Sequence, residues 1–478
     1  MEPLYKFEFE AVNIYFSAVC NLRCRYCFQP KINDISQEIN KKIINWIASG
    51  EMEEDIIKYY GVDISTLSLW GGEPGINLPI LEERLESIYN KFPKLKTIHY
   101  SSNISTKKLA SNSVNFIKKI ATLNKKLDKK ILVSLQFSID GPPEINDYNR
   151  VGSKAENILN NITFLLRELK DVPPDSYSLN IKGTQSSDNI AFLIKDNNLL
   201  KYYQYFDKWQ SLWLKILPEE KIPKGLTFIT LVYPGNFTQE DGFNFKKMVE
   251  IQNSESFQEE CACNTFVNFD NQVTRRIKDT LSALRRGYYR EYKGELLRVC
   301  SCSAGKSCGG LTYDSQFHLC QATYMFNKDI LNYIKKHNLV SEFEDKQGFS
   351  FRSFNEIIKD NIVVPFNDDL KLSRLLYRMN NFNYNLSLKV QYFEVILSEL
   401  ASANQISSCY LDPKWRDLGV AYLLFGGHEC PVNNVWEFSS PYIRSTSHLK
   451  LIFNGAFEYY INNHYKDILG LNIKDIIR

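Results

Sequence analysis

The sequence predicts an α/β fold in which the first half of the chain forms a partial (β/α)6 barrel. Short segments rich in β-branched and aromatic residues alternate there with longer amphipathic stretches. Such alternation implies a parallel sheet with helical crossovers, and six units fall short of the eight that close a full barrel. The candidate strands are Val12–Ser17, Thr66–Trp70, Lys96–Ser101, Leu132–Ile139, Ser178–Thr184 and Leu226–Val232.

The intervening stretches carry apolar residues at helical spacing, and the pattern changes after about residue 240. The predicted helices are Ile35–Ile47, Leu78–Tyr89, Ser113–Leu123 and Asn157–Leu169. We therefore expect a core domain at 1–240 and a second, irregular region at 241–478. In the second region, the basic stretch Arg275–Lys293 is interpreted as the solvent-exposed face of a helix rather than as a binding site for an acidic partner.

Composition excludes several classes of protein. The chain has 478 residues, of which 44% are hydrophobic and 24% charged, an ordinary globular composition. Its net charge is +3, so its overall electrostatic potential gives no reason to expect nucleic acid or a membrane as partner. It has 11 cysteines, an odd number, with neither a basic and apolar signal segment nor a membrane-length apolar run. We expect a reducing, cytoplasmic location, where cysteines are metal ligands, nucleophiles or core residues.

Three cysteines follow the first predicted strand in the segment CNLRCRYC. Cys20, Cys24 and Cys27 are spaced so that their thiolates can converge on one iron–sulfur cluster. No fourth cysteine follows before Cys261, so one iron would stay open to a ligand from outside the protein. A three-cysteine zinc site and unrelated core thiols are the alternatives.

This C-x3-C-x2-C motif, with Tyr26 before its last cysteine, resembles the radical S-adenosylmethionine (SAM) superfamily. The resemblance implies a partial TIM-like barrel in which SAM chelates the open iron of a [4Fe-4S] cluster. Electron transfer then cleaves SAM to a 5′-deoxyadenosyl radical that takes hydrogen from the substrate. Cys20, Cys24 and Cys27 would be the catalytic cluster ligands, an electron donor of the flavodoxin or ferredoxin type would be needed, and Tyr26 would contact the cofactor.

Further motifs stand at the ends of predicted strands, where barrel enzymes build their sites. The resemblance implies that the GGEP turn binds the amino group of SAM and that the SSN and SIDGPPEI…NR segments complete the site. Ser138 and Arg150 would hold the carboxylate of SAM, whereas Asp140 would stabilise its turn or contact the ribose. The implied cofactor-binding residues are Tyr26, Gly71, Gly72, Glu73, Pro74, Asn103, Ser138, Asp140 and Arg150.

A second group of cysteines resembles a SPASM or shortened twitch extension, with helical insertions around it. The resemblance implies one auxiliary [4Fe-4S] cluster on Cys302, Cys308, Cys320 and Cys430, with Cys409 as the alternative fourth ligand. Asp314-Ser315 replaces the usual Asp-Gly, and a zinc knuckle or free thiols are the alternatives.

The resemblance implies a peptide or protein substrate that receives a crosslink, thioether or epimer. The cysteine motif begins at residue 20, so a separate leader-recognition protein, or the segments Ser186–Cys300 and Gln321–Ala401, would recognise the leader. Gln321 stands where sulfatase-maturing relatives carry their general base, which disfavours that activity because an amide cannot take the proton. Two further functions fit these motifs, namely a dehydrogenase of a small alcohol or amine and a non-catalytic metal-binding scaffold.

Overall fold

A computed structural model of the chain describes residues 11–27, 34–231, 239–252, 254–260, 289–292, 295–298, 308–315 and 317–318. A parallel sheet of six strands forms its centre, as the sequence predicts, and the six lie side by side in the order in which they occur in the chain. Each strand begins and ends within two residues of its prediction. The six are β1 (Ala11–Ser17), β3 (Thr66–Gly71), β4 (Thr97–Ser102), β5 (Leu132–Ser138), β7 (Tyr177–Gln185) and β8 (Lys224–Leu231).

Helices connect these strands, and the four predicted helices are all present. The helices are α1 (Asp34–Ser49), α2 (Glu51–Tyr60), α3 (Leu78–Lys91), α4 (Lys107–Leu127), α5 (Pro143–Asn149), α6 (Ala155–Glu168), α7 (Ser187–Leu193), α8 (Asn198–Trp213), α9 (Gln239–Gln252) and α10 (Glu255–Glu260). Short 3-10 helices lie at Pro74–Ile76, Pro174–Ser176 and Glu219–Lys221. Within the part of the chain that the structure describes, no helix has the length and apolar character to cross a bilayer.

The two faces of the sheet differ because side chains alternate along each strand. On one face the apolar side chains are completely buried with those of the helices, as Ile98, Val133 and Leu135 illustrate. The alternating positions of β4, β5 and β7 carry polar residues of intermediate exposure. This second, polar face is the side on which a partial barrel encloses its lumen.

Short strands add features that the sequence patterns do not predict. β2 (Arg23–Cys24) pairs with β6 (Arg150–Val151), which joins the cysteine segment to the end of α5. β11 (Cys308–Leu311) extends the central sheet by pairing in parallel with β1, and β12 (Phe317–His318) pairs with β11. The region after residue 241 therefore contributes to the same sheet as the core.

The prediction of a helix in the basic stretch Arg275–Lys293 is wrong at the end of that stretch. β9 (Tyr289–Tyr292) lies inside the basic stretch predicted as helical and pairs with β10 (Glu295–Arg298) in a hairpin. The sequence Lys293-Gly294 between them is a two-residue, glycine-containing connection, and the two tyrosines of YREY have a high propensity for strands. The rest of the basic stretch lies outside the described residues, as do all residues after 318, where part of the predicted helical insertions would fall.

Candidate functional site

The cysteine segment begins where β1 ends, and two buried asparagines secure that point. Asn40 Oδ1 accepts a hydrogen bond from the Ala18 N–H at 3.1 Å. Asn77 Nδ2 donates to Asn40 Oδ1 at 3.1 Å and to the Phe16 carbonyl at 2.8 Å. Sequence reasoning missed both residues, although a polar Asn40 among the apolar positions of α1 is a detectable signal.

The paired glycines of the GGEP turn press against the cysteine segment. A Cβ on Gly71 would lie 2.1 Å from the Ser17 carbonyl oxygen, and one on Gly72 would lie 2.2 Å from that of Val19. The Gly72 and Glu73 N–H groups donate to these same oxygens, each at 2.7 Å. The two glycines therefore allow the turn to approach the backbone of the chain itself.

Glu73 is a buried acid whose carboxylate organises two strand ends. Its Oε1 accepts the Gly75 N–H at 2.9 Å, and its Oε2 accepts the Asn103 N–H at 2.7 Å. Burial raises the pKa of Glu73. These hydrogen bonds and the positive charge of nearby Arg150 oppose the rise only in part. Pro74 begins the 3-10 helix that Glu73 caps. The turn predicted to bind an amino group thus brings a carboxylate beside the cysteines.

Asn103, at the end of β4, reaches the first cysteine. Its Nδ2 lies 3.7 Å from Cys20 Sγ and donates to Asn21 Oδ1 at 2.8 Å. Its Oδ1 accepts from the Ser105 N–H at 3.0 Å and from the Ser105 hydroxyl at 2.7 Å. The structure therefore brings this predicted residue to the cysteine segment.

Tyr26, Asp140 and Arg150 form one connected group at the end of β5. The Tyr26 hydroxyl donates to Asp140 Oδ2 at 2.7 Å, and Arg150 Nε lies 3.2 Å from Asp140 Oδ1. The Thr184 N–H also donates to Asp140 Oδ1 at 3.0 Å. Asp140 is completely buried, so all of these contacts are shielded from solvent. The geometry favours Asp140 as the anchor of its turn over a direct contact with a ligand.

These contacts also set the charge states of the group. Burial opposes the positive charge of Arg150, but neighbouring Asp140, Tyr26 and Cys24 outweigh it and raise the pKa of the guanidinium. Burial, with Asp140 and Cys24 nearby, raises the pKa of Tyr26 well above its ordinary value. At neutral pH, Arg150 is therefore a cation and Tyr26 a neutral hydrogen-bond donor.

Among the described residues the three predicted cluster ligands form no disulfide; Cys20 and Cys24 are partly buried, and Cys27 is exposed. Burial is the main cause that raises the pKa of Cys20 to about 12 and that of Cys24 to about 11. The Leu22 N–H lies 3.4 Å from Cys20 Sγ, and Arg150 Nη1 lies 3.9 Å from Cys24 Sγ. Donors aimed at sulfur suit thiolates, and a bound metal displaces thiol protons, so this donor set fits an iron–sulfur cluster.

Among the described residues, Cys20, Cys24 and Cys27 included, no three His, Cys, Asp or Glu side chains are placed around one metal ion. In the second cysteine group, only the backbone of Cys308 is described, opposite Ala11 at the start of β1. Cys302, Cys320 and Cys430 lie outside the described residues, as do Cys409 and Gln321. The auxiliary cluster and its fourth ligand stay predictions.

Ser138 lies on the polar face of the sheet, with several polar residues that the sequence patterns do not mark. Ser138 is opposite Lys182 in the register of β5 and β7. His99 Nδ1 lies 3.1 Å from the Ser134 hydroxyl. Burial, aided by Lys182, lowers the pKa of His99, and burial with Arg150 nearby lowers that of Lys182. Alternating polar residues in apolar strands were the available signal.

Comparison with known proteins gives several structural similarities and a sequence match in the N-terminal part of the chain. No curated protein matches it in sequence. The structure is similar to anSMEcpe with bound AdoMet at a TM-score of 0.48 and 13% identity, over 96% of this chain and 100% of that one. It is similar to Streptococcus suis SuiB bound to precursor peptide SuiA at a TM-score of 0.45 and 13% identity, over 92% and 76% of the two chains.

The similarity to SuiB bound to S-adenosylmethionine has a TM-score of 0.39 at 13% identity, over 66% of this chain and 61% of that one. The fold follows from the order and direction of the strands themselves. In sequence, residues 11–159 match a family model described as a 4Fe-4S single cluster domain. That match contains the three cysteines, the GGEP turn, Asn103 and Arg150. Residues 11–159 therefore match a 4Fe-4S single cluster domain, in agreement with the iron–sulfur cluster that the cysteine motif predicts.

Proposed function

We propose that this chain is a radical SAM enzyme that modifies a peptide or protein. The observation that supports this most directly is the convergence of four strand ends on one cysteine segment. The ends of β3, β4 and β5 bring Glu73, Asn103 and Asp140 to the segment that follows β1, where they contact Val19, Cys20 and Tyr26. The carboxyl ends of parallel strands are where barrel enzymes bind their substrates.

In this proposal Cys20, Cys24 and Cys27 hold the [4Fe-4S] cluster, and SAM binds at the surrounding turns. The bound cofactors supply a 5′-deoxyadenosyl radical that takes hydrogen from the substrate. Arg150, together with the Ser138 hydroxyl, offers the positive charge and hydrogen bonds that a carboxylate needs. The carboxylate of Glu73 accepts the N–H groups of Gly75 and Asn103 and a hydrogen bond from the Ser102 side chain, which leaves one of its four lone pairs for an ammonium group.

Tyr26 and Asp140 have supporting roles in the proposed site. Asp140 is buried between Tyr26, Arg150 and the Thr184 N–H. It therefore orients Arg150 and Tyr26 toward the cofactor and does not bind the ribose itself. Gly71 and Gly72 let the GGEP turn reach the cysteine segment, and Pro74 begins the 3-10 helix that holds Gly75 against Glu73.

The finer assignments follow the sequence resemblance. We propose an auxiliary [4Fe-4S] cluster on Cys302, Cys308, Cys320 and Cys430, a flavodoxin- or ferredoxin-type electron donor and a separate leader-recognition protein, all in the cytoplasm. The described part of this region supports one point. Cys308 begins β11 and pairs with Ala11, the first residue of β1, whereas the cysteine segment follows the last residue of β1. An auxiliary cluster there and the first cluster would stand at opposite ends of the strands.

The decisive experiment is the release of 5′-deoxyadenosine by anaerobically reconstituted protein with dithionite and SAM, measured by liquid chromatography and mass spectrometry. We expect release from the wild-type chain and none from Cys24→Ala. Asn161→Ala, which removes a hydrogen bond to the Ile104 carbonyl but touches no cysteine, is the matched control and should retain release. Equal release from Cys24→Ala and wild type would refute the proposal.

The substrate class needs its own test. A short peptide encoded beside this gene should change mass when it is incubated with the reconstituted enzyme, SAM and reductant. A loss of two hydrogens indicates a crosslink, thioether or dehydrogenation, and deuterium uptake from heavy water indicates an epimer. Turnover of a small alcohol or amine, with no change in the peptide, would replace the peptide assignment by the dehydrogenase alternative.

A further inference from the structure

Two side chains from distant strand ends contact the sulfur atoms of the cluster ligands. Asn103 Nδ2 is 3.7 Å from Cys20 Sγ, and Arg150 Nη1 is 3.9 Å from Cys24 Sγ. A donor beside a cluster thiolate stabilises the more negative, reduced state of the cluster, and so makes its reduction potential less negative. Neither contact follows from the roles that the sequence resemblance implies for these residues.

The amide of Asn103 cannot turn away from Cys20 without losing other bonds. Its Oδ1 is held by the N–H and hydroxyl of Ser105, at 3.0 and 2.7 Å. Its backbone N–H is bound to Glu73, and the residue is only 5% exposed. The opposite orientation of the amide would point its NH2 group at the donors of Ser105. The donor group of Asn103 is therefore committed to Cys20 and Asn21.

Arg150 is held with similar rigidity. Asp140 Oδ1 lies 3.2 Å from its Nε, and Asp140 is itself fixed by Tyr26 and Thr184. Cys24 and Arg150 are also directly paired in the bridge between β2 and β6. Because Arg150 is 6% exposed, solvent screens its charge poorly from the nearby sulfur. The backbone pairing and the ion pair together place a positive charge beside Cys24.

We propose that Asn103 and Arg150 are positioning residues that act through the sulfur atoms of Cys20 and Cys24 to ease the one-electron reduction of the cluster. This inference rests on the cluster of the proposed function, but it does not depend on SAM cleavage or on the substrate. An external reductant supplies the electron, and no bond to Asn103 or Arg150 forms or breaks. Each residue stabilises the added negative charge.

The test is the midpoint potential of the cluster, followed by electron paramagnetic resonance in the anaerobically reconstituted full chain without SAM. The signal of this cluster is the one that Cys24→Ala removes. Asn103→Asp keeps an oxygen for Ser105 but replaces the donor to Cys20 by a carboxylate oxygen. We expect a midpoint shifted to a more negative potential, at unchanged iron content.

Asn161→Ala is the matched control, because Asn161 Nδ2 donates to the Ile104 carbonyl at 2.8 Å in the same turn without contacting a cysteine. Its midpoint should equal that of the wild type. An Asn103→Asp midpoint equal to that of the wild type, or an Asn161→Ala shift as large as that of Asn103→Asp, would overturn the assignment of Asn103.

Arg150 provides a second, independent measurement. Arg150→Met removes the charge beside Cys24, whereas Arg150→Lys keeps a cation there. We expect the midpoint of Arg150→Met to be more negative than that of Arg150→Lys. If the Asn103 and Arg150 variants all fail to bind iron while Asn161→Ala binds it, both residues serve cluster assembly and the proposal is wrong. Because 5′-deoxyadenosine is not measured, a failure here is distinct from a failure of the proposed function.

Discussion

At the scale of the residue, the same side chains that face the proposed cofactors also hold the turns together. Glu73 and Asp140 are both buried, and both bind backbone N–H groups with their carboxylates. Burying a carboxylate costs free energy unless hydrogen-bond donors surround it. The backbone of these turns must therefore keep its N–H groups directed at the two acids. Substitutions here should therefore change both binding and stability, and only a measurement of each separates the two effects.

At Gly72 the effect of a substitution follows from steric overlap alone. In Gly72→Ala the new Cβ would meet the Val19 carbonyl at 2.2 Å, and backbone on both sides resists displacement. We expect the free energy of unfolding to fall by about 1–3 kcal/mol and the iron content after reconstitution to fall with it. Chemical denaturation and iron analysis are the measurements.

Gly61→Ala is the control for this prediction. Gly61 has a positive φ, +76°, but a Cβ there has no neighbour within 4 Å. The control should show only the strain of a left-handed alanine, about 1–2 kcal/mol, with normal iron content. Normal iron content in Gly72→Ala as well would contradict the packing argument.

At the scale of the element, a single carboxylate joins α2 to α3. Glu53 is completely buried, and Arg84 Nε and Lys91 Nζ lie 2.9 and 3.0 Å from its two oxygens. The Ser87 hydroxyl donates to the same carboxylate at 2.5 Å. Burial alone would raise the pKa of Glu53, but these hydrogen bonds outweigh it and lower the pKa. The ionised form of Glu53 therefore stabilises the packing of the two helices.

We predict that Glu53→Gln lowers the free energy of unfolding at pH 7 by about 1.5–3 kcal/mol. A lowered folded-state pKa means that the ionised form contributes stability above the unfolded-state pKa, about 4.3. This contribution is lost as the pH falls through the folded-state value. The difference between wild type and variant should thus be constant from about pH 6 to 8 and shrink below about pH 4.

Urea denaturation at a series of pH values measures that difference. Asp63→Asn is the control, since Asp63 and Lys94 form an ion pair at 2.7 Å in which the side chains are 60% and 64% exposed. Such exposed pairs contribute little, so we expect a small effect that barely depends on pH. A Glu53→Gln difference that grows toward low pH would show that the sign of the pKa shift is wrong.

At the scale of the whole molecule, β1 is an interior strand of the sheet. It pairs with β3 on one side and with β11 on the other, so residues after 300 cover its second edge. Side chains reinforce the contact, because Asp55 Oδ2 accepts from the Ser315 hydroxyl at 2.7 Å and the Tyr60 hydroxyl donates to the Gly310 carbonyl at 3.3 Å. The predicted division at residue 240 therefore separates two strands that pair.

We predict that a fragment of residues 1–240 exposes the backbone groups of β1 and self-associates, whereas a fragment of residues 1–330 keeps β11 and does so less. Sedimentation velocity at several concentrations measures the association, and thermal melting compares each fragment with the full chain. A fragment of residues 1–240 that is monomeric and melts with the full chain would support an independent domain ending at residue 240.

Much of the fold and part of the site were predictable from local sequence. The six central strands are short, apolar and bounded by turn residues, so local pattern suffices to find them. β11 is Cys-Gly-Gly-Leu, with almost no side-chain pattern, and its pairing with β1 could not be read from the sequence. Likewise, YREY in a basic stretch became a strand because a hairpin partner follows it.

The sequence by itself determined the cysteine spacing, the glycine pair and the acids that mark the site, because short-range chemistry requires those residue types. Only the tertiary structure decided which groups surround each thiol. Asn103 and Arg150 reach Cys20 and Cys24 from other strand ends, and Gly72 packs on Val19. These contacts join residues far apart in the chain, and their geometry depends on the register of the whole sheet, which no local pattern encodes.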